Sequence, residues 1–140
     1  MNGNPAEVTG WRDEALSRRH RAWGVNCPAQ DVDLVLVEYD RGEPVALVEY
    51  TRRRKLVDGD KSKVTVLFKL AERSRLPAFV VRYTADLATF AVEPASFSAL
   101  KWVAREGAVM SERDFVRLLY RLRGRSLPAA IEVTLAGDRS

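Results

Sequence analysis

Cysteine and histidine are nearly absent from this sequence, which has one of each, Cys27 and His20, in 140 residues. A single cysteine excludes an internal disulfide and any zinc site built from a cysteine cluster. A single histidine is too few for the usual histidine-rich metal sets. A metal ion bound by this chain must therefore be held through oxygen atoms.

Long apolar runs are also missing. No stretch approaches the length of about 20 apolar residues that a helix needs to cross a bilayer, and residues 1–5 lack the apolar segment of a signal peptide. We therefore expect a cytoplasmic protein without membrane association. Because 46% of the residues are hydrophobic and the length suffices for one core but not for two, we predict a single domain over residues 1–140.

Basic side chains outnumber acidic ones, with 23 lysines and arginines against 19 aspartates and glutamates and a net charge of +4. The basic residues are concentrated in residues 18–21, 52–55 and 113–125. Clustered basic charge favours a polyanionic partner over a neutral metabolite. The alternative is a solvated surface, which is the more common meaning of a basic run.

The apolar periodicity predicts alternating helices and strands. The expected elements up to Pro94 are a helix from Thr9 to about Arg21, a hairpin over 32–50, a helix from 58–60 to before Pro77, and strands over 78–83 and 87–92. Beyond Pro94 we expect a short helix over 97–104 closed by Gly107, a helix capped by Ser111, and an edge strand over 130–135. The helix after Ser111 has an apolar face of Phe115, Leu118, Leu119 and Leu122 and a basic ridge of Arg113, Arg117 and Arg121.

The predicted hairpin consists of two apolar runs rich in β-branched residues, which flank the turn signal Asp40-Arg41-Gly42. A three-residue loop would set Val35 opposite Leu47. The same register would set Asp33 opposite Glu49, whereas a one-residue slip would send these two acids to opposite faces.

Directly opposed carboxylates such as Asp33 and Glu49 repel each other. A divalent cation between them removes the repulsion, because hard cations such as Mg²⁺ take oxygen ligands and are often held by one or two carboxylates. The register therefore predicts half of an oxygen-ligated metal site.

The order of these elements and acids resembles the PD-(D/E)XK nuclease superfamily. The residues that carry the resemblance are Glu14, Asp33 and the triplet Glu49-Tyr50-Thr51. The resemblance covers about residues 9–92 and implies an α/β fold with a restriction-endonuclease-like three-layer core. In such a core a central mixed sheet with an antiparallel hairpin is flanked by helices, and residues 95–140 would form a helical and strand extension.

The resemblance also implies metal-dependent hydrolysis of DNA phosphodiester bonds with Mg²⁺ or Mn²⁺ as cofactor. The carboxylates of Glu14, Asp33 and Glu49 and the carbonyl of Tyr50 would be the metal ligands. In this nuclease interpretation the basic clusters would contact the DNA backbone, through Arg52, Arg54, Lys55, Arg113, Arg117 and Arg121.

This sequence departs from the family pattern at Thr51, where the family has a lysine. Arg53, on the same strand face, would supply positive charge but cannot act as a base, because arginine stays protonated. Lys63 would supply a titratable amine from the following helix, and Lys61 and Lys69 are alternatives to it.

Other interpretations stay open. Glu14 suits a helix dipole, Asp33 suits the beginning of a strand, and Glu49 could pair with a neighbouring arginine. Thr51 favours a non-catalytic nucleic-acid-binding or protein-interaction module on the same fold. A chain of this size in this superfamily is also expected to act as a homodimer or beside a larger protein.

Overall fold

The computed structural model describes residues 14–23, 32–38, 40–52 and 58–137. Contacts between residues divide the chain into two units, Met1–Asp31 and Val32–Ser140. In the first unit, α1 covers Glu14–Ala22. Its end agrees with the helix predicted there, whereas the predicted beginning at Thr9 lies outside the described residues. The single domain stays a prediction.

The second unit is an α/β arrangement built on one mixed sheet, which confirms the predicted class. Its elements in chain order are β1 (Leu34–Glu38), β2 (Glu43–Thr51), α2 (Asp58–Ser74), β3 (Ala78–Tyr83), β4 (Thr89–Pro94), a 3-10 helix (Ser98–Lys101), β5 (Ala108–Ser111), α3 (Glu112–Leu122) and α4 (Ala129–Gly137). The five strands lie in the order β1-β2-β3-β4-β5. The pair β2 and β3, connected through α2, is parallel, and the other three pairs are antiparallel.

The sheet is buried on both faces by two hydrophobic clusters. Side chains alternate between the faces along each strand, so that Val48 and Val81 pack with Phe115 of α3, whereas Leu47 and Val80 pack with Leu67 of α2. The central strands β2 and β3 therefore have apolar residues on both faces, which explains their nearly continuous apolar runs. We call the two sides of the sheet the α3 face and the α2 face.

The hairpin of β1 and β2 has the register expected from the sequence near the acids. Val35 lies opposite Leu47, as predicted. The loop is one residue longer than predicted, because Glu38 pairs with Glu43. A register shift just after Leu36 compensates for the extra loop residue. The prediction of the register was therefore right although the prediction of the loop was wrong.

Directly after β4 the structure differs from the sequence prediction. The predicted helix over 97–104 is a 3-10 helix, Ser98–Lys101, and the following residues form β5 against β4. Gly107 has a φ of +85° at the start of this strand, where an added Cβ would lie 2.9 Å from the Val92 carbonyl oxygen. Close packing on β4 thus requires glycine at this position.

The predicted edge strand over 130–135 is wrong, because these residues lie in α4. The backbone N–H groups of Ile131 and Glu132 donate to the Pro128 carbonyl, which begins the helix. The Glu132 carboxylate also pairs with Arg117 of α3. This tertiary contact outweighs the strand preference of the β-branched residues in the segment.

The helix α3 confirms its predicted cap and face. The Ser111 hydroxyl accepts a hydrogen bond from the Asp114 backbone N–H at 3.2 Å, and Phe115, Leu118 and Leu122 are buried. Across the described parts of the chain, none of the helices has the length and apolar character required to cross a membrane.

Candidate active site

Asp33 and Glu49 lie side by side where β1 begins and β2 ends. Asp33 directly precedes Leu34 and Glu49 directly follows Val48, and Leu34 and Val48 are the last register pair at this end of the hairpin. The Asp33 charge and the Asp33 backbone N–H both act on the pKa of the Glu49 carboxyl. The structure therefore brings together the two acids on which the sequence prediction depends.

The Asp33 carboxylate also has a structural role. Its Oδ2 accepts a hydrogen bond from the Tyr50 backbone N–H at 2.9 Å, just beyond the last residue pair of the β1 and β2 ladder. The ring of Tyr50 packs on the opposite face, against Tyr83 and Phe115, with centroid distances of 6.0 and 6.2 Å. Only the backbone of Tyr50 thus lies beside the acids, which suits the carbonyl role predicted for it.

The electrostatics of the pair favour a bound proton or cation. Burial raises the pKa of Glu49, and the neighbouring Asp33 charge raises that pKa further. The Asp33 backbone N–H and the charge of Lys63 lower the pKa of Glu49 and so offset part of this rise. Burial, with a contribution from Asp33, also raises the pKa of Tyr50 to about 12. The Glu49 carboxyl thus lies in a site that disfavours additional negative charge.

The donor set fits a hard cation, since two adjacent carboxylates supply oxygen ligands. Within the described ranges, no group of three or more acidic, histidine or cysteine side chains could hold a metal ion. The side chain of Glu14, the third predicted carboxylate, lies outside what the structure describes. The pair formed by Asp33 and Glu49 is thus the part of the predicted ligand set that the structure assembles.

Among the cations predicted near the acids, Lys63 has a charge that acts on Glu49 in the structure. It lies in the first half of α2. The other candidates near the acids, Arg53, Arg54 and Lys55, lie outside the described residues. Arg52 is exposed directly after β2.

A second cation, Arg82, lies on the same face and is absent from the sequence prediction. Arg82 of β3 is the register partner of Thr51, and its side chain is 22% exposed. Its guanidinium bonds to both carboxylate oxygens of Glu93, at 2.5 and 3.4 Å, while its buried Nε has no hydrogen-bond partner among the described residues. The sequence signal for Arg82 is a lone arginine in an apolar strand. That Arg82 lies beside Thr51 follows only from the parallel pairing of β2 and β3.

The three arginines predicted to form a basic ridge are not beside the acids. They belong to α3, which covers the opposite face of the sheet. Arg117 pairs with Glu132 and with Asp114, the latter at 3.3 Å, and the Arg121 guanidinium lies over the Trp102 ring at 5.8 Å. The structure thus separates Arg113, Arg117 and Arg121 from the acid pair by the sheet.

Comparisons with protein-family models, with curated proteins and with solved structures each give no match.

Proposed function

We propose that this chain is a divalent-cation-dependent nuclease of the PD-(D/E)XK type, which hydrolyses phosphodiester bonds of DNA. The observation that carries the proposal is the pair of adjacent carboxylates, Asp33 and Glu49, on one face of a hairpin. The raised pKa of Glu49 indicates a site in which a cation would relieve repulsion.

The arrangement of elements also supports the proposal. An antiparallel hairpin carries both acids, and α2 connects its second strand to the parallel strand β3. The hairpin, the helix that follows it and the parallel strand are features of the restriction-endonuclease-like core that the resemblance implies. The two hydrophobic clusters fix the hairpin in the sheet, so that the acids have a rigid support.

The residues that would hold Mg²⁺ or Mn²⁺ are Asp33 and Glu49, through their carboxylates, and Tyr50, through its carbonyl. A bound divalent cation would supply Lewis acidity, which makes water a better nucleophile and neutralises charge on the phosphate. The Tyr50 N–H orients the Asp33 carboxylate, whose charge acts on Glu49. Two cations on the same face, Lys63 and Arg82, would offset the negative charge of the phosphodiester.

The test is metal-dependent cleavage of plasmid and single-stranded DNA by the wild type and by Asp33→Asn and Glu49→Gln variants. Asparagine at position 33 keeps an acceptor for the Tyr50 N–H, so the fold is preserved while the charge is lost. We expect each variant to lose at least about 100-fold in rate, as when a transition-state-stabilising group is removed. Glu43→Gln, at the far end of β2 where Glu43 pairs with Arg41, is the matched control. Cleavage that is unchanged in Asp33→Asn would exclude the proposed site.

A second candidate is a non-catalytic DNA-binding module on the same fold, which Thr51 favours. This candidate predicts DNA binding without metal-dependent cleavage. Its affinity should fall steeply with salt, because phosphate contacts release counterions. Binding that does not depend on salt, or no DNA binding, would instead indicate a protein partner.

A further inference from the structure

A groove of about 490 Å³ lies on the α2 side of the sheet, between α2 and the segment that follows β4. Its size is within the range of about 300–1,000 Å³ typical of small-ligand sites, which are mostly apolar with a few polar groups. Most of its lining is apolar, and the residues that matter here are Val64, Phe68, Pro94, Phe97, Leu100 and Arg105.

Phe97 is the most exposed aromatic residue of this groove, with 65% of its surface accessible. Its position is nevertheless fixed. The ring meets Phe68 edge to face, with centroids 5.4 Å apart and planes at 81°, and its backbone N–H donates to Glu72 Oε1 at 2.8 Å. The groove therefore presents a well-positioned aromatic ring to solvent, and such rings stack on nucleic-acid bases.

The groove lies close to the acid pair on the same face. Glu49 is the register partner of Val80, and Val80 is the register partner of Glu93, which precedes Pro94 in the groove wall. Two strand spacings separate Glu49 from Glu93, a distance of about 10 Å. On α2, Val64 of the groove directly follows Lys63, whose charge acts on Glu49.

The charge of the groove complements a nucleic-acid strand. Arg105 is exposed and lines the groove, where its guanidinium can approach a phosphate or the plane of a base. The two acids beside the groove are both engaged, because Glu72 accepts a hydrogen bond from the Phe97 backbone and Glu93 pairs with Arg82. The Phe97 ring fits a base. Arg105 and the neighbouring acid pair, with its cation, fit the phosphates of the same strand.

We propose that this groove binds an unpaired nucleobase of the DNA strand that is held at Asp33 and Glu49. The preferred substrate class is therefore single-stranded or locally unpaired DNA, because a base inside a regular duplex is stacked between its neighbours and not available to Phe97. The inference rests on the proposed function, since it takes the acid pair as the place of the phosphate.

The experiment measures DNA binding in Ca²⁺, an oxygen-ligated ion that can fill the acid pair without the strict octahedral geometry of Mg²⁺, and intact DNA at the end of each titration verifies that no cleavage occurred. A labelled 12-nucleotide oligothymidylate and a blunt duplex are titrated with the wild type, Phe97→Ala and Val109→Ala, and binding is followed by fluorescence anisotropy. Val109, which is 75% exposed on β5, is a matched apolar control. We expect Phe97→Ala to weaken single-strand binding by about 5- to 150-fold, as expected for loss of one base stack. Duplex affinity, and all affinities of Val109→Ala, should stay unchanged.

Several results would overturn the proposal. One is a single-strand affinity that is unchanged in Phe97→Ala. The others are an equal loss of affinity for the duplex in this variant and an absence of binding to either oligonucleotide. Phe97-dependent binding of thymidine monophosphate without oligonucleotide binding would indicate a free-nucleotide site and would also overturn it. Thermal melting of each variant verifies that the fold is intact.

The base site and the nuclease proposal fail separately. If single-strand binding depends on Phe97 but the protein does not cleave DNA, the proposed base site is supported and the proposed nuclease activity is excluded. If the protein cleaves DNA with metal but its single-strand affinity does not depend on Phe97, the proposed base site is excluded and the proposed nuclease activity is supported.

Discussion

Thr51 and Arg82 are register partners in the parallel pair of β2 and β3, so their side chains project from the same face as Glu49. The Arg82 guanidinium is fixed there by its pair with Glu93 and is mostly buried. The guanidinium is thus held in the sheet directly beside Thr51, the position at which the PD-(D/E)XK pattern proposed above has a lysine. Arginine cannot act as a base, so Arg82 would stabilise charge only.

Removing this charge should slow cleavage. Arg82→Gln combined with Glu93→Gln removes the cation without leaving a half-buried carboxylate unpaired, and we expect a fall in kcat of about 100-fold, as for loss of one electrostatic donor. Adding Thr51→Lys to this double variant should restore part of the rate, because the amine would lie on the same face. The measurement is single-turnover cleavage with saturating Mg²⁺.

The control for Arg82 is Arg117→Gln, which breaks an arginine–carboxylate pair on the opposite side of the sheet. A rate that is equally low in this control would show a general effect of broken ion pairs. A rate that is normal in the double variant would show that Arg82 does not act on the phosphate.

Asp33→Asn should have opposite effects on stability without and with metal. Without metal, removal of one of two opposed charges should raise the free energy of unfolding by about 0.2–1 kcal/mol. With Mg²⁺ at 100 times its Kd, the wild type should gain about 2.7 kcal/mol, and the variant should gain little. Urea unfolding with EDTA or with Mg²⁺ measures both. Equal Mg²⁺ stabilisation of the two proteins would show that the ion binds elsewhere.

The raised pKa of Glu49 predicts a pH dependence of the metal-depleted protein. The folded state holds this proton more tightly than the unfolded chain, whose glutamate pKa is near 4.5. The associated stability is therefore fully present below pH 4.5 and is lost as the pH rises through the raised folded value. Stability curves in EDTA should show this decline in the wild type, and Glu49→Gln should remove it. A wild-type curve that rises throughout this interval would contradict the assignment.

Glu38 predicts the reverse behaviour in acid. Its fully buried carboxylate accepts hydrogen bonds from Arg125, from Arg123 at 3.3 Å and from the Asp40 N–H at 2.9 Å. The Arg125 bond leads these contacts in lowering the pKa of Glu38 from 4.5 to about 2, against the effect of burial. The stability from this group is therefore present above pH 4.5 and is lost as the pH falls towards 2.

Glu38→Gln should accordingly unfold at lower temperature at pH 7, because it leaves Arg123 and Arg125 beside a neutral group. Its acid unfolding between pH 4.5 and 2 should also be less steep than that of the wild type. Glu43→Gln, which affects the exposed pair with Arg41, should change neither property. Circular dichroism at a series of pH values measures both, and a Glu38→Gln curve that overlays the wild type would refute this role.

The sequence predicted those features that depend on local pattern. The β-branched runs and the turn residues predicted the hairpin, and the predicted register of Val35 and Leu47 is right because the shift after Leu36 offsets the longer loop. Ser111 marked the start of α3. These signals are carried by neighbouring residues and need no knowledge of the rest of the fold.

The missed features depend on contacts between distant residues. The four residues of β5 acquire their structure by pairing with β4, and α4 is fixed to α3 through Glu132 and Arg117. Arg82 stands next to Thr51 only because β3 is the parallel neighbour of β2. No periodicity within a segment carries this information.

The arginines of α3 should contribute little to DNA bound at the acid pair. Arg117 is engaged by Glu132 and Asp114, Arg121 lies over Trp102, and α3 packs on the opposite face of the sheet from the acids. Removing one cation that neutralises a phosphate should reduce the slope of log affinity against log salt by about 0.7–0.9. We therefore expect Arg117→Gln and Arg121→Gln to keep the wild-type slope and Lys63→Gln to lower it by this amount. A slope reduced in Arg117→Gln but not in Lys63→Gln would place the DNA on the α3 face, because the number of counterions released changes only when the removed cation had held a phosphate.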